Sequence, residues 1–164
     1  MRVLGIDPGT FKMGAGVVDS EEGELSLVYV GVLSASRADP LSQRLHRLYQ
    51  QLMVVIEEWR PSEVAMENPF VSRNVRAAMA IGQAQAVAMV VAAHHGLPVS
   101  GYSPPEVKRA VTDYGASSKS QVQEMVGALL GLEQPPRPSD AADALAVAIC
   151  HINASRVHEL ATID

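Results

Sequence analysis

Asp140 and Asp143 stand three positions apart at the opening of PSDAADALAVAI, residues 138–149. A helix this rich in Ala, Val, Leu and Ile reads as core, so two acids at its start need a reason. They have an ordinary one, because the helix dipole favours Asp at an N-terminus and Asp-x-x-Asp imitates a capping box. Asp7 closes the apolar run of residues 2–7 before Pro8-Gly9, and Glu67 closes Val64-Ala65-Met66. Each again has a plain reading, turn chemistry for the first and a solvated strand end for the second. Together the four point elsewhere. Open α/β sheets gather ligands beyond the carboxyl ends of their strands. Four carboxylates converging there would repel one another and raise their pKa values, and a divalent cation relieves that repulsion. Oxygen ligands alone select Mg²⁺ or Mn²⁺, and four acids can bridge two ions, the clamp used for in-line displacement at phosphate. His46, His94, His95, His151 and His158 show no zinc spacing and read as surface or core residues.

The elements that must position these acids follow from periodicity. Residues 2–7 form a buried strand closed by Pro8-Gly9, and residues 13–19 and 24–34 are strands joined by the Ser20–Gly23 turn. In the third strand Leu25, Leu27, Tyr29 and Leu33 are predicted to share one face. Leu41, Leu45, Leu48, Leu52, Val55, Ile56 and Trp59 recur at helical spacing until Pro61. A short strand ends at Glu67, an Ala-rich helix spans roughly 73–94, and a brief strand lies near 98–101. Two helices then open on capping boxes, Ser103-Pro-Pro-Glu106 and Ser118-Lys-Ser-Gln121. Residues 133–138 form a stiff connector, and in the last helix Ala144 and Val147 carry the face of the two acids inward. The pattern is that of a mixed α/β layer fold in one domain.

Composition narrows the class. The chain has 164 residues, 48% of them hydrophobic, enough for one domain with a substantial core, and only 4% aromatic, so aliphatic packing must fill it. Cys150 is the single cysteine, which excludes an internal disulfide and suits a small core residue in a reducing cytosol. No stretch approaches 18 uninterrupted apolar residues, so a soluble cytoplasmic protein without a membrane partner is expected. The net charge of −5 argues against a uniformly basic nucleic-acid binder. Residues 70–125 nonetheless hold five basic residues (Arg73, Arg76, Lys108, Arg109, Lys119) against three acidic ones, leaving room for a local basic surface.

Lys119 takes the first position of a helix, where the dipole disfavours a cation. A role follows more readily than chance placement: contact with phosphate near the metals, or neutralisation of charge developing in the transition state.

GIDPGT at 5–10, ENPF at 67–70, GQA at 82–84, VKRAVTDYGASSKSQVQEMV at 107–126 and SDAADALAVAI at 139–149 together resemble the RuvC family. Its members are Holliday-junction resolvases of bacterial recombination and repair. The likeness runs from about residue 2 to residue 153 with the motifs in order. It implies an RNase H-like fold, a five-stranded mixed sheet flanked by helices with three antiparallel strands first. It implies one nuclease domain over residues 1–164 with a short tail from about 153. Asp7, Glu67, Asp140 and Asp143 would be the metal-binding catalytic acids, with Mg²⁺ (Mn²⁺ substituting) and two ions to a site. It further implies a homodimer that binds a four-way DNA junction, nicks two strands of like polarity, and belongs to a family with branch-migration motors as partners. Lys108 matches a second basic position. Phe70, in a polar loop, is either a core anchor or a wedge that stacks on a base opened at the crossover, and the resemblance favours the wedge. Arg73 and Arg76 would flank it at phosphates. Two departures stand out: Gln85-Ala86 where the family commonly has Arg-Gly, and Pro69 where it usually has no proline.

Two other functions would use some of the same residues. A non-catalytic junction-binding module would not require four mutually repelling acids. GIDPGT also resembles the first phosphate loop of actin-like sugar kinases, but a phosphotransferase of that fold needs a second lobe that 164 residues do not hold.

Overall fold

A computed structural model describes residues 1–68 and 74–161, so Pro69, Phe70 and Arg73 lie outside the described residues. Three strands open the fold: β1 (Arg2–Asp7), β2 (Lys12–Glu21) and β3 (Glu24–Ser34). They form an antiparallel meander, to which β4 (Glu63–Glu67) and β5 (Val99–Tyr102) add in parallel on the far side of β1. The sheet order is β3-β2-β1-β4-β5, the expected five-stranded mixed sheet. Because β1 is central, both of its faces are covered: Leu4 and Ile6 join one buried cluster and Val3 the other. This is why residues 2–7 read as a nearly continuous apolar run rather than an alternating one.

One face carries α1 (Leu41–Trp59) and α2 (Val75–His94); the other carries α3 (Pro104–Thr112), α4 (Lys119–Leu129) and α5 (Ser139–Ala161). Both capping boxes form. Ser118 accepts from the Gln121 N–H while Gln121 Oε1 accepts from the Ser118 N–H, and Glu106 accepts from the N–H and hydroxyl of Ser103.

α5 lies unusually close to the sheet. A Cβ on Gly5 would overlap the Ala144 carbonyl oxygen, and one on Gly14 would overlap the Asp140 carbonyl oxygen. The Ala-rich sequence of α5 and the glycines of β1 and β2 are therefore one device, which brings a helix backbone down onto two strands. Cys150 is buried in this layer, and burial pushes its thiol up to about 12, as suits an inert core residue.

Two expectations need correction. Leu25, Leu27, Tyr29 and Leu33 do not share a face. Val17 pairs with Tyr29 but Val18 with Leu27, leaving Val28 as the extra residue of a β-bulge. Val28, Tyr29 and Leu33 pack toward the α1 layer, Leu25 and Leu27 toward α5. The stretch from about residue 153, expected as a short tail, is helical as far as Ala161, where α5 ends. No Gly or Pro interrupts this stretch, Asn153 Nδ2 donates to the Ala110 carbonyl, and Arg156 Nη2 donates to Ser20 Oγ.

α2 adds a feature the sequence did not single out. By length and composition it is apolar enough to cross a membrane, with a mean hydropathy of 1.4 over its window. Ala84, Ala88, Val91 and Ala92 bury one face in the core, while Val75, Met79, Met89 and Val90 remain exposed along another.

Candidate active site

Asp7 and Glu67 are the last residues of β1 and β4, parallel neighbours whose preceding residues, Ile6 and Met66, are register partners. Parallel pairing with matched ends puts both carboxylates at one edge of the sheet. The close approach at Gly14 sets the first turn of α5 over that edge, bringing Asp140 and Asp143 to it. Asp7, Glu67 and Asp143 line a cavity of about 250 Å³ together with Lys108 and Lys119. Asp140 stands outside the lining residues, yet its charge still bears on Asp7. Among the expected basic residues, Arg76 is exposed near the start of α2 and is not part of the cavity lining, and Phe70 and Arg73 fall outside the described residues.

The electrostatics follow from this crowding. Asp7 is pushed up to about 7, chiefly by burial and then by the charges of Asp143, Glu67 and Asp140, with Lys119 opposing. Burial and Asp143 also raise Glu67, opposed by Lys119 and Lys108. Lys119 Nζ lies 3.2 Å from Asp143 Oδ2, and that carboxylate in turn raises the lysine. Asp140 lies in the first turn of α5, where the helix dipole favours an acid. The N–H groups of Ala141 and Ala142 donate to the Pro138 carbonyl, and Asp143 faces across to α4.

Among the described residues no three side chains already close into a ligand cluster. The donor set fits a hard divalent ion: oxygen only, partly buried, with burial and then mutual repulsion raising one carboxyl toward neutrality.

The folded protein keeps a proton on Asp7 up to about 7, whereas an unfolded Asp releases it near 4. Between those values the folded state binds more protons, so the contribution of Asp7 is favourable at low pH and is lost as pH rises to 7. The loss is on the order of 2–4 kcal/mol. Denaturant unfolding in EDTA should give lower stability at pH 8 than at pH 5, with a flatter profile in Asp7→Asn.

Two residues that support the site were missed in the sequence. Gln85 Nε2, from α2, donates to the Glu67 carbonyl at 3.1 Å and to Asn68 Oδ1 at 2.8 Å. The Asn68 N–H donates to the Tyr102 carbonyl, and its side chain lies where a Cβ on Gly101 would be. Gln85 is thus a tether on the strand end that carries Glu67, and more than a missing charge. A glycine inside the four-residue β5 was the available signal, since glycine in a strand marks close approach. His151 is a satisfied core histidine: its ring nitrogens meet Tyr102 Oη at 2.7 Å and Glu63 Oε2 at 2.8 Å.

A sequence profile of the family described as crossover junction endodeoxyribonuclease RuvC matches residues 3–151. The chain belongs to the RuvC family. A RuvC from Dehalococcoides mccartyi is 52% identical over 151 residues, covering 92% of each chain. One from Chloroflexus aurantiacus is 50% identical with the same coverage. The structure of Thermus thermophilus RuvC in complex with Holliday junction substrate matches with a TM-score of 0.92 and 36% identity, over 96% of both chains. The RuvC match spans every element from β1 to the first turns of α5, and with it the four acids and Lys119. Membership in a nuclease family, reached through the whole fold, removes the sugar-kinase reading of GIDPGT.

Proposed function

We propose that this chain is a structure-selective endonuclease that resolves four-way (Holliday) DNA junctions by metal-dependent nicking of two strands of like polarity, in homologous recombination and DNA repair. One observation carries the chemistry: Asp7, Glu67 and Asp143 share a cavity with Lys108 and Lys119, where burial first and the neighbouring carboxylates second push Asp7 up to about 7. Relatives named crossover junction endodeoxyribonuclease, and one seen with a Holliday junction, support the substrate.

Asp7, Glu67, Asp143 and Asp140 would hold Mg²⁺, with Mn²⁺ as substitute and two ions to a site. When bound there, the metal supplies a Lewis acid that activates water and steadies charge on the phosphate. Lys119 keeps Asp143 turned toward the cavity and presents a cation to the scissile phosphate. Lys108 adds a second charge from α3 on the same wall. Gln85 and Asn68 hold the end of β4, and so the backbone of Glu67, against β5. Phe70 is assigned to stacking on an opened base, and Arg73 and Arg76 to flanking phosphates. The working unit is a homodimer acting in the cytoplasm, each copy one RNase H-like domain. A second copy is the partner for the exposed Val75, Met79, Met89 and Val90 stripe of α2, which leaves two active sites for two strands.

The test is a mobile four-way junction labelled on each strand in turn and resolved on denaturing gels. Mg²⁺ or Mn²⁺ should give paired nicks placed symmetrically across the crossover. Ca²⁺ should support binding alone, because it relaxes the tight six-fold geometry that Mg²⁺ demands. Full activity in EDTA, or nicks on one strand only, would overturn the reading.

A further inference from the structure

On the α1 side of the sheet, at the same edge as the acids, two arginines crowd one aromatic ring. Phe11 sits in the connection between β1 and β2, four residues beyond Asp7. Its carbonyl accepts from the Ala35 N–H at 2.9 Å, which ties this connection to the end of β3. The Cζ of Arg44, in the first turn of α1, lies 4.1 Å from the Phe11 ring centroid, and that of Arg37 lies 4.9 Å from it. β1 and β3 both run antiparallel to β2, so both end at the edge where Asp7 stands.

Among the described residues neither guanidinium is bridged to a carboxylate. Nε and Nη1 of Arg44 are enclosed and find no acceptor. The first turn of α1 holds no acid, and Asp39 is the one acid between Ser34 and Ile56, against Arg37, Arg44 and Arg47. Lys12, exposed, adds a cation beside Phe11. A ring face attracts a cation and holds a guanidinium flat, but it leaves the charge uncancelled. Two such charges over one ring are relieved when an anion meets their accessible N–H groups, those of the exposed Arg37 first.

We infer that Phe11, Arg37 and Arg44 form a second phosphate-binding site, separate from the acid cavity, which takes the sugar–phosphate backbone of one junction arm. The inference rests on the nuclease reading above for its ligand. The two guanidinium groups flank the same ring, so one phosphate or two successive phosphates of a strand can meet both. Phe11 acts as the platform that keeps them in place. Because the site lies across the sheet edge from Lys108 and Lys119, an arm held here continues past the acids rather than ending at them.

The test is fluorescence anisotropy of a labelled four-way junction and of a linear duplex, each titrated over a range of salt. Arg37→Gln, Arg44→Gln, the double variant and Phe11→Leu are compared with the unaltered chain. Each arginine variant should bind the junction about tenfold more weakly, with a log K against log salt slope shallower by about 0.9 per cation removed. Nicking at saturating junction should keep its rate, and Arg37→Gln, an exposed position, should keep its melting temperature. Unchanged affinity and slope in both arginine variants would overturn the site. So would a loss confined to Arg44→Gln and matched by a lower melting temperature, which would mark Arg44 as packing. A slope loss in the variants of a protein that nicks under no divalent cation would instead uphold the phosphate site and overturn the nuclease reading.

Discussion

Four proteins that fold, bind a junction and fail to cut it are the expected result of Asp7→Asn, Glu67→Gln, Asp140→Asn and Asp143→Asn. Each change conserves shape and removes one negative charge from the group that would hold the metal. Cleavage should fall by roughly a thousandfold or more, as when a Lewis acid worth several kcal/mol is lost from a transition state. Junction binding should hold or tighten, since one fewer anion faces the phosphates. If Asp140 and Asp143 merely capped α5, Asn would serve nearly as well and nicking would survive in both. The geometry grades the four. Asp7, most crowded and pushed up to about 7, should give the largest rise in metal-free stability when its charge is removed. Asp140, outside the cavity lining, should give the mildest loss of cutting. Nicking within tenfold of the unaltered protein in Asp7→Asn would remove the acids from the chemistry.

What could be read in the sequence was what is local or strongly periodic. The β1 run, the two capping boxes and the helical spacing of α1 each carry their own signal within a dozen residues. The acids were legible because strand ends and helix starts are marked by turns and caps, and an α/β sheet collects such ends on one edge. The bulge at Val28 was not, since its pairing depends on β2 and leaves the alternation of β3 intact on paper. Gln85 was legible only as a departure from a family pattern; its tether to Glu67 comes from α2 crossing near the end of β4. The cluster on Phe11 joins a turn, a loop and a helix that no spacing rule connects.

Gly5 and Gly14, which fall inside the strands predicted over 2–7 and 13–19, set how closely α5 approaches the sheet, and substituting them should separate stability from activity. At Gly5 an added Cβ would meet the backbone at Ala144 and Ala148, in the middle of α5 where no flexible side chain can yield. The helix must rise from β1, loosening the packing of Leu145 and Ile149, both fully buried. Gly5→Ala should therefore cost about 3 kcal/mol or more, at or beyond the upper range for overpacked cores. At Gly14 the obstacle is the Asp140 carbonyl, at the first turn of the helix, with the Asp7 Cβ 3.2 Å away. A helix end gives way more easily than its middle, so Gly14→Ala should fold with a smaller loss of melting temperature. The movement it forces, however, carries Asp140 and Asp143 away from Asp7 and Glu67. A displacement on the order of 1 Å at a catalytic group costs about a hundredfold in rate, so Gly14→Ala should nick poorly while remaining folded. Thermal melts and nicking assays on the two variants decide it. Normal cutting in Gly14→Ala with an unchanged melting temperature would mean that α5 stands free of the sheet at its start, and that the acids are positioned by something other than this contact.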